Sequence, residues 1–324
     1  MTATAPVGAP DLEPFRRELT GYCYRMLGSG SEAEDAVQET MLRAWRATGS
    51  FEGRSSLRSW LYRIATNVCI DMVRQPQRRA RPMEMGPPSP PSESLLGPML
   101  PEATWVMPMA DERVEEVGAD PADVAVHRES VRLAFVAALQ HLPASQRAVL
   151  VLCEVLRWQA TEVAELLDTT VAAVNSALQR ARATMTALPP SPGPAHLDEP
   201  DEALLARYVD AFERYDIDAL VAILHEDAVM SMPPFAMWIR GSANIGHFML
   251  ETTPSLCRGS RLVPVGLVNG CPAFGHYKPD PAGGRAPWAL QVLEWSSGRI
   301  SGYHAFLDTE RLFPAFGLAP HLDR

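Results

Sequence analysis

Between Pro82 and about Pro121 the chain can form neither a long helix nor a strand, and that stretch alone forbids one continuous core. Residues 86–112 read "GPPSPPSESLLGPMLPEATWVMPMADE". Proline removes the backbone donor that a helix or a strand ladder needs. So polar and acidic a run also buries too little apolar surface to offset its ordering entropy, and is expected to be a mostly irregular linker. A second break, "PPSPGP" at 189–194, sets off the last third. With 324 residues the chain exceeds one ordinary core in any case. The expected division is 11–81, a linker 82–127, a second module 128–188, a short linker 189–200 and a last domain 201–324. Trp105, Val106 and Met107 are out of place in a solvated tether and are expected to dock onto a neighbouring domain.

The formal net charge of −10 hides a split. Residues 1–81 carry 12 basic and 9 acidic groups, net +3, and 128–188 carry 6 and 5, net +1. The linker carries 1 and 9, net −8, and residues 189–324 carry 10 and 16, net −6. Seven arginines face only Asp71 within 54–81, so a phosphate-attracting patch is expected there despite the acidic total. The acid of the linker and last third is expected to compete with phosphate for those arginines. The five cysteines are isolated, with no CxxC or Cys/His cluster, so neither a zinc site nor a disulfide framework is supported. No basic-then-apolar opening marks a signal peptide. The longest apolar runs, such as "AVLVLCEVL" at 148–156, are too short to span a bilayer, and the cytoplasm is the default.

Residues 12–75 show helical periodicity throughout. In "SEAEDAVQETMLRAWRA", Ser31 with Glu34 makes a capping-box arrangement, and Ala36, Val37, Thr40, Met41, Ala44 and Trp45 form an inward side. After the turn-like "GSFEGRSS", Leu57, Leu61, Ile64, Val68 and Met72 form a second stripe. Helices resume near Asp123. "TEVAELLDTTVAAVNSALQRARA" at 161–183 reads as two helices joined by the turn Asp168–Thr169–Thr170, with Thr170 as N-cap and Val174 and Leu178 inward. Such a hairpin presents its second helix to a DNA groove, side chains near the start to base edges and flanks to phosphates. Ala172, Asn175, Ser176 and Gln179 fall outward, followed by Arg180 and Arg182. The last segment opens with helices broken near Asp216, then shows short alternating runs that read as an antiparallel sheet, an α+β cone.

These residues resemble a known family. Residues 161–186 resemble region 4.2 of sigma factors of the extracytoplasmic-function group, and 128–160 resemble region 4.1. "GSGSEAEDAVQETMLRAWRA" with "FEGRSSLRSWLYRIATNVCIDMVR" resembles region 2 of the same family. The resemblance implies two all-helical modules that bind core RNA polymerase, through its largest-subunit clamp helices and its flap region, and promoter DNA. It assigns polymerase binding to Asp35, Gln38, Glu39, Leu42 and Arg43, which fall at helical spacing on one face. It assigns the −10 element to Phe51, Arg54, Ser55, Ser56, Arg58, Arg63, Asn67, Asp71 and Arg74. The −35 element falls to Thr170, Ala172, Asn175, Ser176, Gln179, Arg180 and Arg182. The chain departs from the pattern at Asn175 and Ala177, where members often carry a basic pair.

Residues 201–318 resemble the SnoaL-like branch of the nuclear-transport-factor-2 cone fold. Within sigma factors such an extension contacts the sigma modules and tunes activity. Some relatives use the cone's pocket for chemistry, which leaves the alternative of an isomerase- or cyclase-type enzyme fused to a DNA-binding regulator. Asp227, Trp238, Tyr277, Trp288 and His304 are the candidate pocket lining, for a small apolar ligand, although a lone His or Trp in such a fold more often packs than reacts. The expectation is a regulatory module with no catalytic residue, no cofactor and no metal.

Overall fold

The computed structural model describes residues 11–50, 55–73, 79–91, 96–114, 129–188, 202–252 and 257–323. The expected loop at Phe51 and Arg54, Arg74, the helix start near residue 123 and the 189–200 linker lie outside the described residues. The chain divides into two compact units: Met1–Arg79 with Val106–Pro189, and Ala80–Trp105 with Pro190–Arg324.

The first unit is helical. Helix α1 (Arg16–Leu27) ends at Gly28, whose φ of 73° suits glycine and whose N–H closes on Tyr24 O at 2.8 Å. That turn makes Ser29 the extended residue before α2 (Gly30–Ala47). The N-cap is therefore Ser29, accepting from the Glu32 amide, and not the expected Ser31, whose hydroxyl bonds that of Ser29. Helix α3 (Leu57–Met72) is capped by Ser56. Trp45 and Met72, expected inward, are 41% and 38% exposed. The buried side of α3 is instead Leu61, Tyr62, Ala65, Thr66, Val68 and Cys69, because α3 packs on both α1 and the second module.

That module contains α4 (Leu133–Leu139), α5 (Ala144–Leu150) with a π turn over Val151–Val155, α6 (Ala160–Leu166) and α7 (Val171–Ala187). Four arginines join the two modules. Arg25 donates to Ser130 Oγ at 2.7 and 3.0 Å, Arg147 donates to Met26 O, Arg63 reaches the end of α6, and Arg58 stacks on Trp158. The linker is irregular, as expected, and although 85–88 and 97–99 are exposed, 105–111 are buried. Tyr24 donates its hydroxyl to Met107 O at 2.9 Å, Met107 N–H donates to Gly28 O at 2.9 Å, and Arg113 pairs with Glu34.

The second unit opens with α8 (Glu202–Glu213) and α9 (Ile217–Ile223), broken as expected at Asp216, whose carboxylate accepts from Ala219 N–H at 3.0 Å. The strands are β1 (Leu224–Ser231), β2 (Trp238–Arg240), β3 (Arg261–Val268), β4 (Cys271–Pro279), β5 (Arg285–Ser296) and β6 (Arg299–Phe306), in sheet order β2-β1-β6-β5-β4-β3. The sheet is mixed and not antiparallel throughout: β1 and β6 run parallel. The meander β3 to β6 brings the last strand back beside the first, which entered the sheet from α9. Helix α10 (Ser242–Thr252) follows β2 and approaches α9 closely at Gly246, where a Cβ would lie 2.5 Å from Val221 Cγ2.

One face of the sheet joins α8, α9 and α10 in a core that includes Tyr208, Phe212, Phe248, Phe274, Leu293 and Trp295. Burying each such side chain stabilises the fold by roughly 1.5–3 kcal/mol. The other face receives α11 (Thr309–Ala315), through Phe313 edge-on to Tyr277, and the linker, through Met83 against Val229 and Trp238. Linker backbone bonds run from Ser89 N–H to Trp238 O at 2.7 Å and from Leu100 N–H to Pro234 O at 2.9 Å. Trp105, Val106 and Met107 are buried, as expected of docking residues, Trp105 within the second unit and Val106 and Met107 within the helical one.

Candidate nucleic-acid interface

Helix α2 presents Asp35, Gln38, Leu42 and Arg43 to solvent, with Glu39 half-buried beside them. Arg43 Nε donates to Glu39 Oε1 at 2.6 Å, and Arg43 Nη1 lies 3.8 Å from Asp71 Oδ2 of α3. Asp71, assigned to the −10 element with Asn67 one turn before it on α3, therefore also approaches the α2 face. A cavity of about 500 Å³ opens beside Gln38, lined by Arg16 and Arg17 of α1, Val37 of α2 and Glu112 and Arg113 of the linker.

On α3 the expected contacts separate. Ser55 and Asn67 are exposed. Ser56 is occupied as the N-cap, accepting from Ser59 N–H at 3.0 Å. Arg58 donates to Glu18 Oε2 at 2.7 Å and stands 5.5 Å from the ring centres of both Tyr62 and Trp158. Tyr62 is buried against Tyr22 and Trp158 and is closed to a base. Arg63 donates to Leu166 O at 3.1 Å and to Glu165 O at 2.6 Å, covering the last carbonyls of α6, where a cation also meets the negative end of the helix.

Helices α6 and α7 form the expected hairpin. Gln159 and Glu162 close a capping box, Asp168 takes a left-handed turn at φ 50°, and Thr170 caps α7 by accepting from Ala173 N–H at 3.1 Å. Val163, Ala164, Leu166, Val174 and Ala181 are buried, while Ala172, Asn175, Ser176, Gln179, Arg180 and Arg182 are exposed along one helix. Arg180 donates to Ser176 Oγ at 2.6 Å, and Arg182 pairs with Glu154. Both are exposed, and such pairs contribute only about 0–1 kcal/mol, so phosphate can displace them.

The five candidate pocket residues of the cone do not converge. Asp227 is exposed and pairs with Arg240 at 3.1 Å. Trp238 donates Nε1–H to Gly86 O of the linker at 2.9 Å, and Tyr277 donates its hydroxyl to Ala319 O at 2.8 Å. Trp288 lies under Lys278, Nζ 3.7 Å from its ring, and His304 Nδ1 meets Ser231 Oγ at 2.8 Å. Of these, Trp238, Tyr277 and His304 are on the face opposite the helical core. That core instead contains a polar network: Tyr208 donates to Gln291 Oε1 at 2.7 Å, Gln291 Nε2 donates to His276 Nδ1 and to the Tyr303 hydroxyl, each at 3.0 Å, and His276 Nε2 meets Ser260 Oγ at 2.8 Å.

Comparison with known proteins agrees with this layout. Residues 12–79 match the sigma-70 region 2 family, 132–185 match sigma-70 region 4, and 201–261 match the nuclear transport factor 2 (NTF2) domain. The ECF RNA polymerase sigma factor SigG of Mycobacterium tuberculosis is 46% identical over 317 residues, covering 96% of this chain and 83% of that protein. SigJ of the same organism is 29% identical over 80% of this chain and 78% of its own length. The crystal structure of SigJ shares the fold, with a TM-score of 0.56 at 24% identity over 95% of this chain and 98% of that one.

Proposed function

Because the chain belongs to the extracytoplasmic-function sigma factors of the sigma-70 family, it is a factor for RNA polymerase and promoter DNA; we propose that α2 supplies the polymerase contact to the clamp helices, α3 the −10 contact and α7 the −35 contact. The observation that supports this is the joint one: 46% identity across 96% of the chain, with both sigma regions in order and α7 bare along its outward side. The cone acts as a tuning module without catalytic residues of its own. In vitro transcription with purified core polymerase tests the reading. The full chain should start transcripts at promoters sharing a two-box motif, and failure to direct initiation or to bind core enzyme would sink it.

Base reading falls to Asn175, Ser176 and Gln179 near the start of α7. An asparagine bonded to a base edge discriminates by roughly 1–3 kcal/mol at one position. Asn175→Ala should relax a single −35 position in a promoter-library selection and leave the −10 preference untouched. Loss spread evenly over all sequences would mean that Asn175 touches phosphate or nothing.

Arg58 and Arg63 are engaged by Trp158 and by the end of α6, so promoter DNA must compete with those contacts for them. In the free factor the second module therefore competes with promoter DNA for that part of α3. Trp158→Ala removes one side of that clasp and leaves every arginine of α3 in place. It should raise the affinity of the free protein for a single-stranded −10 oligonucleotide by about tenfold, the equivalent of one lost contact of about 1.4 kcal/mol. An unchanged affinity, with the fold intact by circular dichroism, would show that nothing is masked.

A further inference from the structure

The cavity beside Gln38 has no part in the promoter contacts and stands apart from the exposed apolar centre of α2 at Leu42 and Trp45. Its volume of about 500 Å³ is in the range of small-molecule sites. Three parts of the helical unit wall it: α1 through Arg16 and Arg17, α2 through Val37 and Gln38, and the linker through Glu112 and Arg113. The linker residues stay beside the helices because the turn Asp111–Arg113 packs on α1.

Three arginines around one cavity would suggest a phosphate site, yet two of them are already committed. Arg16 donates to both Glu13 carboxylate oxygens, at 2.6 and 3.0 Å, and Arg113 pairs with Glu34. Three other polar groups on the same walls have no partner among the described residues: the Arg17 guanidinium, the Gln38 carboxamide and the Glu112 carboxylate. All three are exposed, while Val37 beside them is buried and gives the cavity an apolar floor. Arg17 and Glu112 carry opposite charges and line one cavity, yet no ion pair joins them. A polyanion drawn to Arg17 meets Glu112, and a polycation drawn to Glu112 meets Arg17.

Each open group has a complement. A guanidinium takes a carboxylate in a two-pronged contact, and a carboxylate takes an ammonium. A carboxamide, with donors and an acceptor, matches a peptide group. We propose that this cavity binds a short peptide with free ends, two or three residues long. Its carboxylate lies on Arg17, its ammonium on Glu112 and a peptide group against Gln38. A free amino acid offers both charges but no amide for Gln38. Gln38 also belongs to the α2 face, so an occupant stands at the edge of the proposed polymerase contact. That consequence rests on the reading of α2; the binding does not.

Isothermal titration of the full chain tests this with leucylleucine and four other probes. Acetyl-leucylleucine lacks the ammonium, leucylleucine amide lacks the carboxylate, leucine lacks the peptide group, and pyrophosphate is a polyanion. Leucylleucine should bind saturably with a Kd below about 1 mM, and each blocked end should weaken it about tenfold. Arg17→Ala should reduce leucylleucine to the affinity of its amide and leave the amide unaffected. Glu112→Ala should do the same with respect to the acetylated peptide. Both residues are exposed, so thermal midpoints should hold and any loss reports the site. No saturable leucylleucine binding, or equal binding of the blocked and free peptides, overturns the proposal. Leucine binding as tightly as the dipeptide removes the peptide group from the assignment, and tighter binding of pyrophosphate makes this an anion site instead. None of these readouts involves polymerase, so their failure is distinct from failure of the α2 assignment.

Discussion

Arg147→Ala is expected to lower the stability of the helical unit by about 3 kcal/mol, and its thermal midpoint by about 10 °C. Arg147 lies at the centre of that unit, 3% exposed and without a carboxylate partner among the described residues. Its Nη1 donates to Met26 O, at the end of α1, and to Gln140 Oε1 at 2.7 Å; its Nη2 donates to Leu142 O at 3.0 Å and to Gln140 O at 3.4 Å. One side chain thus satisfies carbonyls left open at two helix ends, one in each sigma region. Burial draws its pKa to about 10, which still leaves it charged at neutral pH. Each lost charge-assisted bond leaves a buried acceptor without a donor, and those costs add where no water can enter. Arg147→Lys should recover a minor part, since one ammonium cannot span four acceptors. Arg182→Ala provides the contrast: its pair with Glu154 is exposed, and the change should be below about 1 kcal/mol. Calorimetry of the three variants decides it. Equal effects at Arg147 and Arg182 would show that the buried guanidinium is not what holds the two regions together.

The helices and most strands were legible because their signals are local. Thr170 capping α7, Asp216 capping α9 and the inward Val163, Ala164 and Val174 follow from spacing and side-chain chemistry alone. What the sequence hid was which way a face points once a second body covers it. Tyr62 reads as an aromatic available to a base until Trp158, 96 residues later in the chain, closes over it. In the cone the errors are errors of parity. His304 and Tyr277 were chosen as pocket groups, yet their neighbours Tyr303 and His276 are the ones facing the helical core. Successive residues of a strand point to opposite faces, so a polar residue is placed only when the covered face is known. Here both faces are covered, one by α8, α9 and α10 and the other by α11 and the linker. In "PWALQVLEW", read as one of the alternating runs, Leu290 and Val292 are buried as fully as Gln291 and Leu293, so alternation there does not tell the two faces apart. The three-residue β2 was too short to announce itself. Three-dimensional pairing also makes a contact that spacing hides: Asp71 of α3 sits 3.8 Å from Arg43 on the α2 face.

That face carries the second large effect. Leu42 is 48% exposed and Trp45 41% exposed on α2, an apolar centre with Asp35, Gln38, Arg43 and Asp71 around it. An apolar anchor inside a polar rim is the usual make-up of a binding hot spot, since the rim excludes water while the centre supplies the energy. Nothing in the fold requires a leucine at so exposed a position, so Leu42→Arg should leave the thermal midpoint within the small range of surface substitutions. Burying its guanidinium in a contact made for leucine should cost at least about 2 kcal/mol, or about a thirtyfold loss of affinity for core polymerase, with initiation falling in step. Arg43→Ala, at the rim and already paired with Glu39 at 2.6 Å, should change affinity only a few-fold and mainly at low salt. Fluorescence anisotropy of labelled full-length protein against core enzyme separates the two patterns. If Leu42→Arg binds core polymerase as the unaltered chain does, the α2 face is not the docking surface. The cavity beside Gln38, framed by Arg16, Arg17 and Arg113, then becomes the next face to test.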